Sequence, residues 1–494
     1  VSARGSGQPE QSTGERGGST ARRLGGYLLS LGTAEIIGRG LSFLALVVVA
    51  RVLGPETFGR VAFAQVIVLY LTALGDGGIT LWSQREIVRR PGELSRIVAQ
   101  TLAAQVALAV AAMGTLAVIA LVAPLPAGTS VLIVAAAPVA LAQALSTVYA
   151  LQALEWMRAA ALVKVVTQAV AACAAVGVVL LTRQPVWVIM TMWMGQLAGA
   201  VLALAILVWR GGLRAELPST AGVRATLAAG LPILGSLALI HYSQMMDTVV
   251  LGLLRSSYEV GIYAAAARLM LVAAVAALVI TNASYPEMVR RHADGEGRLG
   301  EFSGRALALT LRASIAAALL TTVLAPGIIR LLYDAGYADS GAVLRILAWL
   351  FPALCFSSLA GQVLMAAGRR ALLLRGVATG SAFATVAVPL GAMSAGGVGT
   401  AVGLVGAMVV QCLAFTWLAR GPLATGWRAR LGPELAFGGL LCLLVLAALV
   451  ASGGHVLAAA GALSLGLVAI EAGRGLPTVR TVSPRLRERA ARTR

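Results

Sequence analysis

The feature that decides what this chain can fold into is a recurrence of apolar blocks. Each is about 20 residues long, and charged or Gly/Pro-rich breaks separate them from residue 27 to residue 473. A helix rises about 1.5 Å per residue, so such a block spans about 30 Å, the thickness of a bilayer's hydrocarbon core. A transmembrane barrel would instead show alternating segments of about 10 residues. Of the 494 residues, 59% are hydrophobic and 12% charged, against about 25% charged in soluble domains. With a mean hydropathy of +0.87, a soluble fold would need a core larger than single domains build. The chain therefore reads as an all-α polytopic membrane protein.

The breaks define fourteen transmembrane spans: 27–50, 58–75, 97–122, 130–152, 160–182, 186–209, 228–254, 260–283, 306–329, 342–365, 372–394, 398–419, 434–452 and 455–473. Residues 1–26, rich in Gly, Ser, Arg and Gln, have the composition of a disordered tail. The first block is not a secretory leader: it is too long, contains Glu35 and Arg39, and lacks a small-residue cleavage site.

Orientation follows from the basic residues. With the N-terminus placed in the cytoplasm, thirty of the 39 Lys and Arg fall in cytoplasmic segments and five outside, at Arg51, Arg60, Arg183, Arg255 and Arg330. That bias is the positive-inside signature, and it accounts for the net charge of +19 without nucleic-acid binding. Both termini and the connections 76–96, 210–227 and 284–305 are then cytoplasmic. Lys164, the only lysine, is counted with Arg158 on that side. The basic tail 474–494 faces anionic membrane lipid, at about 1 kcal/mol per Arg near the surface.

Several chemistries find no support. Cys173, Cys355, Cys412 and Cys442 lie in apolar blocks and form no CxxC pair. His241, His292 and His455 are the only histidines, and neither HExxH nor a phosphate-binding GxxxxGK[ST] loop is present. The expectation is no metal, no cofactor and no enzyme activity.

A charge at the bilayer centre costs about 2.5–3.5 kcal/mol on insertion scales, so intramembrane ions need a reason. Glu35 and Arg39 stand at i and i+4 on the first span; they either neutralise each other or line a polar cavity. His241, Gln244 and Asp247 follow at a spacing of three on the seventh span, and Arg268 lies well inside the eighth. Asp247 and Arg268 are candidates for a pair between neighbouring helices. The candidate substrate-binding residues are Arg39, His241, Gln244 and Arg268; the candidate ion-coupling or cavity carboxylates are Glu35 and Asp247. Arg312 and Arg345, nearer span ends, read as snorkelling to the headgroups.

An internal repeat supports this grouping. Gly59, Ala62 and Ala64 match Gly261, Ala264 and Ala266 at an offset of 202, with six spans between the copies. An even number preserves orientation and predicts two pseudo-symmetric six-helix bundles, with two further C-terminal helices. The domains expected are a tail at 1–26, bundles at 27–209 and 228–419 joined by a linker at 210–227, two helices within 420–473, and a tail at 474–494. Under the same offset Arg39 falls on His241. Gly195 and Gly199, and Gly399 and Gly403, have the GxxxG spacing of closely packed helices. Pro232, Pro352 and Pro389 predict kinks.

The run Ala50-Arg-Val-Leu-Gly-Pro-Glu-Thr-Phe-Gly59, with Leu74-Gly-Asp76-Gly-Gly78 and Arg85-Glu86, resembles the first helices of bacterial polysaccharide flippases. These belong to the multidrug/oligosaccharidyl-lipid/polysaccharide (MOP) exporter superfamily. The resemblance continues through Met246-Asp-Thr-Val-Val-Leu-Gly252, Glu259-Val-Gly-Ile-Tyr-Ala264, Gly336-Tyr337, Leu344-Arg-Ile-Leu-Ala348 and Leu364-Met-Ala-Ala-Gly368. It implies a transporter that moves a polyprenyl-pyrophosphate-linked oligosaccharide to the outer leaflet of the bacterial cytoplasmic membrane by alternating access. Its partners would be the lipid-linked glycan, polysaccharide polymerase and glycosyltransferases. Two same-superfamily alternatives are a lipid II flippase and a multidrug cation antiporter. A membrane glycan polymerase or glycosyltransferase would need a large outer domain, and the longest outer loop expected is 330–341.

Overall fold

A computed structural model describes residues 13–76, 78–419 and 427; the side chains of 13–36 and of several residues within 232–244 and 271–283 are not described. The described secondary structure is helical. It begins with α1 (Thr13–Gly75), α2 (Ile79–Arg89), α3 (Leu94–Val122), α4 (Thr129–Ala136), α5 (Pro138–Ala144), α6 (Val148–Ala153) and α7 (Met157–Thr182). It continues with α8 (Pro185–Gly211), α9 (Thr220–Leu254), α10 (Ser257–Ala293), α11 (Glu296–Leu332), α12 (Ser340–Leu347), α13 (Leu350–Ala366) and α14 (Arg370–Leu418). Eight helical stretches among the described residues are long and apolar enough to cross a membrane. The expected spans 434–452 and 455–473 lie outside the described residues, as do residues 1–12 and the tail 474–494.

Two of the long helices are each two expected spans joined across a break. In α1 the backbone turns at Gly54, whose φ of 74° suits glycine, and Pro55 starts the second limb. In α14 the break is at Ala395–Gly396. The expected span 130–152 is divided into α4, α5 and α6, because Pro138 lacks the N–H that would continue α4 and so begins a new helix. Span 342–365 is likewise divided, into α12 and α13.

The helices also outrun the apolar blocks. The connection 76–96 contains α2, which buries Ile79, Ser83 and Ile87. α1 begins at Thr13, within the segment whose composition reads as a disordered tail. α9 begins at Thr220, where the Ser219 hydroxyl accepts the Gly222 N–H at 3.1 Å. Only Asp294 and Gly295 separate α10 from α11. Near this turn, Glu287 and Arg291 pair at 2.7 Å and Asp294 and Arg298 at 3.4 Å. Such i,i+4 pairs support helix in water, where hydropathy gives no signal.

The described chain divides into two compact units. One comprises 1–271, 332–337 and 388–400; the other comprises 272–331, 338–387 and 401–494. In the first unit, Leu116, Ile133 and Ile189 anchor a core between α3, α4 and α8. The GxxxG expectation holds there. A Cβ on Gly195 or Gly199 would collide with Ala171 or Thr167, so α7 and α8 touch along that stripe. In the second unit, Leu311, Phe356, Leu359 and Phe415 surround Trp427, whose indole N–H donates to Ser303 at 2.8 Å.

The two copies of the sequence repeat meet inside the first unit. A side chain on Gly59 would strike the Ser257 carbonyl, and one on Gly261 would strike the Pro55 carbonyl. Pro55 and Ser257 are themselves 202 residues apart, so the contact is reciprocal, each copy using the same surface. Phe58, Ala64, Val260 and Ala266 are buried around it. The segment 332–337 packs beside this contact: Tyr337 donates to the Ala50 carbonyl at 2.8 Å and lies edge-on to Phe58, and Tyr333 donates to the Ala265 carbonyl at 3.2 Å. The break in α14 is held by the neighbouring turn. The Arg255 guanidinium donates to the Ala392 and Met393 carbonyls at 2.8 and 2.9 Å, and Glu259 accepts the Gly397 N–H at 3.2 Å. A cation thus faces a helix C-terminus and an anion an N-terminus, the favourable sense for the helix dipole.

Candidate substrate-binding cavity

A cavity of about 570 Å³ lies wholly within the first unit. One wall is the helical stripe Lys164, Thr167, Gln168, Ala171 and Ala175 of α7, at intervals of three and four residues. α1 contributes Arg39 and Ser42 before its break and Gln65 after it; α8 contributes Thr191 and Gln196, and α10 contributes Arg268. The Gly195 and Gly199 contact draws α8 against α7 and sets this wall. The described lining residues include three cations, Arg39, Lys164 and Arg268, and no carboxylate.

Hydrogen bonds orient part of the lining. Arg268 Nη2 donates to Gln65 Oε1 at 2.9 Å, and Ser42 donates to Gln168 Oε1 at 2.9 Å. The Thr167 and Thr191 hydroxyls donate to their own helices, leaving lone pairs rather than protons for a ligand. The Arg268 α-carbon stands about 16 Å along α10 from Ser257, and that of Lys164 about 10 Å along α7 from Met157, at 1.5 Å per residue. Lys164 thus lies inside a helix long and apolar enough to cross a membrane, and Arg268 well inside α10.

The sequence-derived candidates divide. Arg39 and Arg268 come together in this cavity. His241 lies on α9 and is not among the described lining residues; its Nδ1 is buried with no partner among the described residues. Glu35 and Gln244 lie on α1 and α9, with side chains outside the described set. Asp247 is buried, accepting the Tyr263 hydroxyl at 2.5 Å and the Thr248 N–H at 2.7 Å. The pair considered for Asp247 and Arg268 is not formed, because each finds a neutral partner, Tyr263 for one and Gln65 for the other. Sequence reasoning missed Lys164, which it counted with the cytoplasmic segments, and the amides Gln65, Gln168 and Gln196. The signal for Lys164 was its rarity: one lysine among 39 basic residues, inside an apolar block with Gln168 one turn on.

Solved structures share the fold. A lipid II flippase, MurJ, in an inward closed conformation matches with a TM-score of 0.67 at 11% identity, covering 84% of this chain and 92% of that one. A multidrug resistance MATE family transporter in an inward-facing conformation gives 0.57 at 18%, covering 77% and 93%. A MOP superfamily transporter from Pyrococcus furiosus, described by the reverse polarity of its binding pocket, gives 0.54 at 15%, covering 79% and 94%. The fold is therefore all-α and polytopic, with about twelve long apolar helices in two bundles of roughly six. No curated protein sequence matches the chain. The family model described as polysaccharide biosynthesis protein matches residues 27–292, more than half of the chain, which thus belongs to that family within the MOP superfamily.

Proposed function

We propose that this protein is a flippase that carries a polyprenyl-pyrophosphate-linked oligosaccharide from the cytoplasmic to the outer leaflet of the bacterial cytoplasmic membrane. The observation that carries the reading is the cavity with Arg39, Lys164 and Arg268 and no described carboxylate. A pyrophosphate diester carries about two negative charges, and a glycan presents many hydroxyls. Each polar group left unsatisfied in hydrocarbon costs several kcal/mol, and a polar, cationic cavity removes that cost while the polyprenyl tail stays in the lipid. A cation antiporter would need acidic groups where these bases stand.

Within this proposal Arg39, Lys164 and Arg268 hold the pyrophosphate or acidic sugars, and Gln65, Gln168 and Gln196 meet sugar hydroxyls. His241 and Gln244 extend the substrate path, and Glu35 and Asp247 are the carboxylates available for a proton or Na⁺. The working halves are 27–209 and 228–419, related by alternating access. Both termini are cytoplasmic, the basic tail meets anionic lipid, and glycosyltransferases and a polymerase act before and after the flip.

The test is complementation. In a strain lacking its own flippase, this gene supplied with matching glycosyltransferases should restore surface glycan and leave dye efflux unchanged. Dye efflux without glycan export would reject the proposal in favour of a drug antiporter. Rescue of peptidoglycan synthesis alone would point to lipid II.

A further inference from the structure

The Leu74-Gly-Asp76-Gly-Gly78 motif has no part in the cationic cavity, yet it borders a second, much smaller one. A cavity of about 20 Å³ lies where α1 ends, lined by Thr72, Asp76, Gln105 of α3 and Gln143 of α5, with Gly75 and four alanines closing the rest. That volume admits one water-sized particle.

The hydrogen bonds decide what kind of particle it suits. Thr80 donates its hydroxyl to Asp76 Oδ1. Gln105 Nε2 donates to the same oxygen and to Thr80 Oγ1, both at 3.1 Å. Thr72 donates to the Val68 carbonyl at 2.7 Å. These bonds use both amide protons of Gln105 and the proton of each threonine hydroxyl. Because a carboxylate only accepts, it fixes the Gln105 amide with nitrogen toward Asp76. Gln105 is 5% exposed, and its Oε1 has no partner among the described residues. Holding the first turn of α2 accounts for Asp76 Oδ1; it leaves Gln105 Oε1 unexplained. A buried acceptor without a partner costs about 1–3 kcal/mol, so something should meet it. What borders the space is therefore rich in lone pairs: a carboxylate, an amide oxygen, a threonine oxygen, and the Gln143 amide, which can turn its oxygen inward. A water can donate only two hydrogens, whereas a hard cation takes oxygen ligands from every side.

We propose that Asp76, Gln105, Thr72 and Gln143 form a binding site for one small monovalent cation of the Na⁺ type, at the end of α1 that the basic-residue bias places on the cytoplasmic side. One carboxylate among neutral oxygens balances a single positive charge and leaves a divalent ion under-compensated. The site is separate from Asp247 and from the cationic cavity, and it stands whether or not the glycan reading does.

The test uses the purified full-length protein in lipid nanodiscs without substrate. Binding of ²²Na⁺ is measured against unlabelled Na⁺, K⁺ and Mg²⁺, and thermal unfolding is followed as NaCl replaces choline chloride at constant ionic strength. The expected result is saturable ²²Na⁺ binding and a thermal midpoint that rises with Na⁺ and levels off. Asp76→Asn and Gln105→Leu should each weaken binding by at least about ten- to a hundredfold, which is what loss of even an outer supporting group costs a metal site. If Asp76→Asn is not monodisperse, Gln105→Leu carries the test. Three results would overturn the proposal: no saturable Na⁺ binding, meaning a water only; displacement by micromolar Mg²⁺, meaning a divalent site; or loss in Asp247→Asn with retention in both Asp76→Asn and Gln105→Leu. No substrate is present, so none of these outcomes bears on glycan transport.

Discussion

Two cavities among the described residues differ in the opposite sense to their size. The larger, about 1,260 Å³, lies in the second unit between the two limbs of α14, lined by Leu413, Trp417, Arg375 and Thr379 among others. Its threonines spend their protons on their own helix: Thr379 donates to the Arg375 carbonyl and Thr416 to the Leu413 carbonyl, each at 2.8 Å. Arg375 is the one charged residue among its described lining. The smaller cavity, in the first unit, holds three cations and three glutamines. A groove of the first kind suits hydrocarbon and gives a charged head no shelter. Under the proposed function, polar content rather than volume is what marks the smaller cavity as the path of a glycan diphosphate.

Removing the charges should separate the two cavities most strongly. Replacing Arg39 and Arg268 together by alanine should stop surface glycan export while the protein remains inserted at normal level. Lys164→Ala alone should reduce export severalfold. Thr379→Ala and Trp417→Ala, in the larger groove, should leave it close to wild type. Immunoblotting of membranes beside surface-glycan staining reads all four. A groove variant that stops export while the double arginine variant does not would invert the assignment.

The next effect concerns the helix contact that shapes the cationic wall. Gly199→Leu forces a side chain into Thr167, and overpacking of this sort costs about 1–3 kcal/mol. Thermal unfolding in detergent should show a clearly lowered midpoint, whereas Gly114→Leu, where an added Cβ meets nothing within 4 Å, should not. Equal losses would mean that the α7–α8 contact is not what holds the wall.

Voltage gives a graded effect. Moving one charge through the full field is worth about 2.3 kcal/mol per 100 mV, so two uncompensated anionic charges moving outward gain up to about 4.6 kcal/mol per 100 mV. In proteoliposomes without pH or Na⁺ gradients, a potential negative inside should speed outward flipping. If cavity cations neutralise the substrate, the empty cavity returning inward carries the voltage dependence instead. Rates indifferent to voltage but lost in Glu35→Gln or Asp247→Asn would reject voltage drive in favour of ion coupling. The smallest effect is from Ser42→Ala, which removes one neutral hydrogen bond to Gln168, worth about 0.5–1.5 kcal/mol, and should lower export only modestly.

Much of this architecture was legible because a membrane imposes a length on apolar runs. The spans 97–122, 160–182 and 186–209 match α3, α7 and α8 within a few residues. The helical extensions beyond the apolar blocks were not legible, because hydropathy reports contact with lipid rather than helix length; α2 and the α10–α11 turn therefore fall within the expected connections 76–96 and 284–305. The 202-residue repeat was legible from three small residues, and its copies pack on each other because only small residues allow backbones so close. The cavity was legible in Arg39 and Arg268. Lys164 was missed because counting charges toward topology hides a cation that lies inside a helix. A repeat offset pairs positions in the chain and says nothing of where a side chain points, so Arg39 lines the cavity and His241 is not among its described lining.

Orientation underlies the direction of transport. Cysteines introduced near Arg183 and Arg255 should react with an impermeant reagent in intact cells, and those near Arg90 and Arg291 should not. Labelling at the latter pair would reverse the topology.

The most direct test of the cationic cavity is a binding preference measured on the purified protein in nanodiscs. Polyprenyl pyrophosphate and the corresponding uncharged polyprenol are compared for the wild-type protein and for the combined Arg39→Gln, Lys164→Gln and Arg268→Gln variant. The wild type should prefer the pyrophosphate, salt should weaken this preference, and the variant should lose it while still binding the polyprenol. An undiminished preference in the variant would place the pyrophosphate outside this cavity.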